Sequence, residues 1–255
     1  MRRHWLYLLI SLAAIAVAVW SYAATVDFNG EHLVYEFGWQ AISAATAEVT
    51  VTTQQYAGAP CYRIIIDVRG KPKLDWMWKV RDRLESLSTI QDLHCRLFTF
   101  QQRESNYNSD TTIRFDPTRN LLVSTRVRYR SGGPIPMKPF TAPPEQLDPL
   151  GALLAMRRTE VAVGHTYVLN VFDGKRSHVL NYDVLAEEHI KTQLGEFDAY
   201  KIWPRIVAST VQDAESKVNK VRRVYLWLDK LPPHHVLRIE SEVFVGHIYA
   251  ELIQR

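Results

Sequence analysis

A period-two alternation of apolar and polar residues runs through most of this chain, and it excludes most helical folds. Successive side chains of a strand point to opposite faces, so a strand with one buried face shows every second residue apolar. Leu33, Tyr35 and Phe37 share one face of such a segment. Residues 47–53 alternate and are β-branched, and Ile64-Ile65-Ile66 within 62–68 suits a strand covered on both sides. Over 73–84, Leu74, Trp76, Trp78 and Val80 alternate with Asp75, Met77, Lys79 and Arg81, which is strand spacing. Further strands are expected near 95–102, 111–115, 121–129, 166–172, 177–186, 191–194, 199–208, 221–228, 235–242 and 246–253. Turn residues such as Phe172-Asp-Gly174, Leu194-Gly-Glu196 and Leu231-Pro-Pro233 separate many of them. Strands this close together indicate a sandwich or barrel. The expected fold is mainly β, an antiparallel barrel-like or half-barrel sheet.

The middle of the chain breaks the pattern. Residues 131–147 are rich in proline and glycine, and proline removes a backbone donor, so a loop is expected there. A helix over 148–158 follows. Asp148 can cap it, Pro149 suits its first position, and Arg157 and Arg158 complement the dipole at its C-terminal end. One β-rich domain, 24–255, with a central helix that plugs or flanks the sheet, accounts for this order.

The N-terminus supplies the compartment. Arg2, Arg3 and His4 precede an apolar run over 6–20 broken only by Ser11, and Ser21-Tyr22-Ala23 ends it. This is a signal peptide, 1–23, with small residues at −3 and −1 of a cut after Ala23. The run also approaches the ~20 residues that span a bilayer, so an uncleaved inner-membrane anchor is the alternative. Either places the remainder in the periplasm. No cysteine stands at the leader's end to carry a lipid. The formal charge of +4 falls to +2 when Arg2 and Arg3 leave with the leader. A charge so small argues against nucleic-acid binding, and membrane contact is expected only through the N-terminal segment, if retained. Arg126, Arg128 and Arg130 alternate, which places them together on one strand face, expected to be solvated. The two cysteines, Cys61 and Cys95, have an oxidising compartment in which to pair. Closing a loop of about 35 residues would stabilise by ~3–4 kcal/mol; two buried free thiols are the alternative.

No catalytic motif stands out. The nine histidines show no H-x-H or H-x-x-x-H pair, there is no G-x-S-x-G, and no phosphate-binding loop is present, so neither a metal nor a cofactor is expected. Asp82 shares a strand face with Trp78 and Val80 on the expected register, and a carboxylate turned inward there needs a partner. Arg157 at the helix end is a candidate, as an ion pair pinning helix to sheet or as a polar anchor in a ligand cavity. Trp76 with Trp78, and Tyr35 with Phe37 and Trp39, form aromatic ladders that fill a core or line a cavity. Asp82 and Asp229 are the carboxylates that a polysaccharide-cleaving enzyme would pair.

A series of short motifs resembles a bacterial exported family, domain of unknown function 3108. In order they are Gly30-Glu31-His-Leu33-Val-Tyr35-Glu36, Val80-Arg81-Asp82-Arg83-Leu84-Glu85-Ser86, Ile113-Arg-Phe115-Asp116, and Asp148-Pro-Leu-Gly-Ala-Leu-Leu-Ala-Met-Arg157. Then come Gly195-Glu-Phe197, Tyr200-Lys201-Ile202-Trp-Pro204, Leu226-Trp227-Leu228-Asp229, Pro232-Pro233, Arg238-Ile239 and Gly246-His-Ile248-Tyr-Ala250-Glu251-Leu252. The chain departs from that family in a longer proline-rich loop and in Met156, where the family often has an aromatic. The resemblance implies an exported, barrel-like antiparallel sheet and no activity. Half-barrel carriers of lipids or lipoproteins share that architecture only by analogy.

Three functions remain. The leading one is a periplasmic binding or envelope-biogenesis protein with an apolar or amphipathic envelope ligand, and Tyr35, Trp76, Trp78, Asp82, Arg157 and Asp229 as candidate ligand-binding residues. The others are a polysaccharide-active enzyme and a structural protein-interaction module.

Overall fold

A computed structural model describes residues 26–207, 223–242 and 246–255. The leader, 1–23, lies outside the described residues, as do 221–222 of one expected strand. The alternating segments form one antiparallel sheet of fifteen strands. They are β1 (His32–Trp39), β2 (Ile42–Tyr56), β3 (Ala59–Gly70), β4 (Arg81–Thr89), β5 (Cys95–Glu104), β6 (Tyr107–Asp116), β7 (Leu121–Arg130), β8 (Gly133–Pro136), β9 (Phe140–Ala142), β10 (Thr166–Phe172), β11 (Ser177–Thr192), β12 (Gly195–Val207), β13 (Val224–Asp229), β14 (Val236–Glu242) and β15 (His247–Gln254). Sequential strands are neighbours, and the chain's last strand, β15, pairs with β1, giving the order β10 through β15, then β1 through β8. The sheet is open between β10 and β8. The 140–147 segment bridges its two sides, because β9 pairs with β7 and Leu147 bridges Val171 of β10. A sheet whose two sides are joined by so short a segment must curl, and its inner face is the one that holds the helix.

That helix, α1 (Pro149–Arg158), starts where the cap and the proline place it. Asp148 accepts from the Leu150 and Gly151 backbone N–H groups at 2.9 and 3.0 Å. Its other oxygen accepts from Ser86 and Ser88 of β4 at 2.7 and 3.0 Å, so one carboxylate caps the helix and fastens it to the sheet. Burial pushes this carboxyl's pKa up, against the pull of those four donors. Gly151 permits the close approach: a Cβ there would lie 3.0 Å from both the Leu93 carbonyl oxygen and Ser88 Oγ. Leu150, Ala152 and Leu154 enter the same core as Leu33, Val49, Phe98, Ile113, Leu122 and Leu252.

Three expectations are corrected. Residues 73–80 do not form a strand. Pro72–Leu74 is a turn of 3-10 helix, β4 begins only at Arg81, and the residues between make a loop. Pro72 at the first helical position favours this turn, and the alternation of Trp76 and Trp78 records no sheet face. Trp76 is 83% exposed and Trp78 44%, so neither fills a core or lines an enclosed ladder. The proline-rich loop contains the short strands β8 and β9, both at the edge beside β7, where a missing backbone donor is tolerated. Cys61 and Cys95 are free buried thiols. Cys61 stands opposite Thr89 and Cys95 opposite Ser88. The cysteines therefore lie two strands apart, about 10 Å, and on opposite faces, beyond the reach of a disulfide.

Candidate functional site

Registered rows of side chains cross the inner face, and fewer members of each row are fully buried the further it lies from the helix. The row under the helix is Ile64, Ser86, Phe98, Ile113 and Ser124, all at most 2% exposed. The next is Leu33, Val49, Ile66, Leu84, Phe100, Thr111 and Arg126. Ile66, Leu84, Phe100 and Arg126 in this row are only half-buried. One step further, Tyr35, Ala47, Val68 and Asp82 form one part of a row, while Gln102, Ser109 and Arg128 form another. Apolar side chains on β3–β5 thus run into two arginines on β7.

These arginines do not sit on the solvated face expected of them. They share their strand face with the fully buried Leu122 and Ser124, and of the three only Arg130 is exposed. Arg126 Nε donates to Thr111 Oγ1 at 3.2 Å, and the Arg128 guanidinium lies 4.8 Å from the Tyr107 ring centroid. Among the described residues neither forms a salt bridge with a carboxylate. Asp82 is half-buried and accepts from the Arg103 backbone N–H at 2.7 Å. Burial raises its pKa, and the Arg103 bond opposes the rise.

Arg157 does pin helix to sheet, but through Glu31 rather than Asp82. Its Nη1 donates to Glu31 Oε2 at 2.9 Å and its Nη2 to Oε1 at 2.5 Å. Its Nε and Nη2 also donate to the carbonyls of His234 and Pro233 at 3.1 and 3.2 Å, and its Cζ lies over the Phe28 ring, 4.6 Å from the centroid. Burial would raise the Glu31 pKa, but His235, 3.6 Å away, and Arg157 outweigh it, and the net shift is downward. Tyr35 lies close enough to feel both charges. Burial pushes its phenol pKa up while Arg157 opposes the rise. Asp229 is buried at the end of β13, accepts from Leu231 N–H at 3.0 Å and lies 3.6 Å from Arg255.

Of the six expected site residues, the structure thus brings Tyr35 beside Arg157 and puts Tyr35 and Asp82 on one face. Trp76 and Trp78 stand in the exposed loop. Asp229 is separated from Asp82 along the sheet by the five strands β14, β15, β1, β2 and β3, and each has its own partner, Arg255 for Asp229 and the Arg103 backbone N–H for Asp82. Sequence reasoning passed over Glu31, though it stood in the first quoted motif, because a partner 126 residues away leaves no local pattern. Open grooves of about 430 and 470 Å³ lie on the outer face, beside Arg114 and Val123 and beside Asn108 and Tyr129. Among the described residues no group of three or more His, Cys, Asp or Glu is placed to hold a metal, and no helix is long and apolar enough to cross a membrane.

Fold and site together define a barrel-like antiparallel β protein plugged by one helix. The chain belongs to the family described as "Protein of unknown function (DUF3108)", whose model matches residues 32–253. It is similar to the crystal structure of a β-barrel-like protein of domain of unknown function DUF1849 from Brucella abortus, with a TM-score of 0.55 and 9% identity over 90% of this chain and 98% of that one. At that identity the likeness shows the fold alone. A "putative exported protein with YmcC-like fold" from Bacteroides fragilis aligns at a TM-score of 0.36 and 7% identity over 90% and 98% of the two chains. A "putative lipoprotein" from Parabacteroides distasonis aligns at 0.33 and 12% over 89% and 94%. These two carry no argument about this chain. No curated protein matches it in sequence.

Proposed function

We propose that this is an exported periplasmic protein, a leader followed by one β-rich domain, which holds an amphipathic ligand with an anionic head against the inner face of its curled sheet. The observation that carries this reading is the pair Arg126 and Arg128. Both are half-buried on the face that packs the helix, and neither pairs with a carboxylate among the described residues. A guanidinium withdrawn from water needs compensation, and an anionic headgroup supplies it with bidentate geometry. The half-buried Ile66, Leu84 and Phe100, in line with Arg126, offer the apolar part of such a ligand a surface. An acid–base enzyme fits less well, since Asp229 is buried beside Arg255 and stands five strands along the sheet from Asp82.

The test is native mass spectrometry of protein recovered from the cell envelope, with solvent extraction of bound material, on the parent and on Arg126→Gln/Arg128→Gln. A stoichiometric anionic amphiphile on the parent that the variant loses supports the reading. A parent that carries none, and takes up none from anionic lipid micelles, overturns it.

A further inference from the structure

The end of the sheet opposite the helix carries a concentration of exposed apolar residues. The loop between β3 and β4 reads Lys71-Pro-Lys-Leu-Asp-Trp-Met-Trp-Lys79. Trp76 is 83% exposed, Met77 61% and Trp78 44%. This is an ordered display. Gly70 N–H donates to the Val80 carbonyl, Lys71 N–H to Ala44, and Met77 and Trp78 N–H both to Leu74, all within 2.8–3.0 Å. Lys79 N–H donates to Ser105 Oγ at 2.7 Å, which ties the loop to the β5–β6 turn. The neighbouring β1–β2 turn adds Trp39 and Ile42, 40% and 49% exposed, and Ile248, opposite Trp39 in register, is 46% exposed. Within the loop the charge left unpaired is positive. The loop's acid, Asp75, is neutralised by Arg81 at 2.7 Å, and Lys71 contacts Glu36 at 3.2 Å. Lys73 and Lys79 are exposed and form no salt bridge among the described residues.

We infer that this end of the barrel is a membrane-docking surface, with the 71–79 loop seated in the interface of an anionic phospholipid bilayer. Tryptophan is the residue best suited to the boundary between headgroups and acyl chains, because its ring is apolar and its N–H still finds water. A flanking lysine gains attraction to anionic headgroups worth about fivefold in affinity. Apolar tips braced by backbone hydrogen bonds insert without the cost of ordering a loop. A water-exposed protein surface has no such use for two tryptophans and a methionine in three consecutive positions. The surface faces away from α1, so a membrane-seated protein presents its plugged end to the periplasm. The inference does not depend on the proposed ligand.

Exported protein, purified as the envelope holds it, is mixed with vesicles of phosphatidylglycerol and phosphatidylethanolamine in which part of the lipid carries brominated acyl chains. Retained leader sequence would hold the protein on any vesicle, so the readout is the bromine quenching of tryptophan fluorescence lost in Trp76→Phe/Trp78→Phe relative to the parent. The expected result is that most quenching outside the leader disappears in that variant. Lys73→Gln/Lys79→Gln, with an unchanged circular dichroism spectrum, needs roughly thirtyfold more anionic lipid for half-maximal quenching. Phosphatidylcholine vesicles or high salt should weaken quenching in the parent. Equal quenching in the parent and the Trp76→Phe/Trp78→Phe variant overturns the inference. So does concentration-dependent dimerisation that protects Trp76 and Trp78 without lipid, which would make the surface a protein interface.

Discussion

Substituting Arg157 by Leu tests how far one buried guanidinium holds the plug in place. Arg157 is 3% exposed and its Glu31 partner 10%. Removal leaves a nearly buried carboxylate with His235, at 3.6 Å, as its remaining ion-pair partner among the described residues, and two backbone carbonyls, Pro233 and His234, without these donors. Breaking one side of a buried pair costs about 3–5 kcal/mol, which in a chain of this size lowers Tm by roughly 10 °C. The pH dependence carries the sharper test. In the parent, Glu31 titrates below its usual value of 4.5, so its contribution is fully present above that pH and is lost as pH falls through the folded pKa. In Arg157→Leu, burial acts with less opposition and Glu31 should titrate above 4.5. The deficit relative to the parent is then largest near neutrality and shrinks as pH falls below the variant's pKa. Glu31→Leu/Arg157→Leu should recover much of the loss, because no charge is left unpaired. Urea unfolding followed by circular dichroism between pH 3.5 and 8 measures all three proteins. A deficit under 1 kcal/mol, or one unchanged across that range, would refute the assignment of Arg157 as the lock.

Asp148→Ala should destabilise by about 2–4 kcal/mol, since it removes a helix cap and leaves the buried Ser86 and Ser88 hydroxyls without their acceptor; Asp148→Asn, which keeps the cap, should cost less, and thermal melts rank the two. Gly151→Ala should lower stability by about 1–3 kcal/mol despite alanine's better helix propensity, because the Leu93 carbonyl at 3.0 Å is backbone and cannot turn aside. Alkylation should modify Cys61 and Cys95 only after denaturation, and both of them without reductant; burial holds the Cys95 thiol's pKa far up, and rapid modification of either in native protein would contradict the packing described.

How much of this could be read from the sequence follows from the range of each interaction. The period-two segments and the Asp148-Pro149 start are local, and they yield both the strands and the helix. The alternation over 73–80 misled because a period of two over four apolar residues also arises by chance, and Pro72 was the local signal that a tight turn comes first. The cysteine expectation failed for a topological reason. Pairing odds depend on compartment, but geometry depends on register, and one strand, β4, stands between the two thiols. Arg157's need for a carboxylate was legible, whereas the choice of Glu31 over Asp82 depends on where the helix docks. Arg126 and Arg128 were assigned to solvent because arginines usually are. Their strand lies one step from the seam, and only the curl of the sheet turns that face inward.

The polar contacts at the helix end also explain why the barrel is asymmetric. Leucines alone would let a ten-residue apolar helix settle at several depths within a β barrel. Asp148 meets Ser86 and Ser88 at one end of α1, and Arg157 meets Glu31 and the 233–234 carbonyls at the other, so both depth and rotation are set. A shift of one turn, about 5.4 Å, would strand both charges. With α1 held there, the rows carrying Arg126, Arg128 and Asp82 lie beyond its packing surface and stay half-buried. If the helix serves to keep that face uncovered, then loosening the lock and losing the ligand should be linked. Arg157→Leu, assayed below its melting temperature, should retain less of the proposed anionic amphiphile than the parent, with no contact from Arg157 to Arg126 or Arg128 among the described interactions. Full retention at the parent's stoichiometry would separate the plug from the binding face.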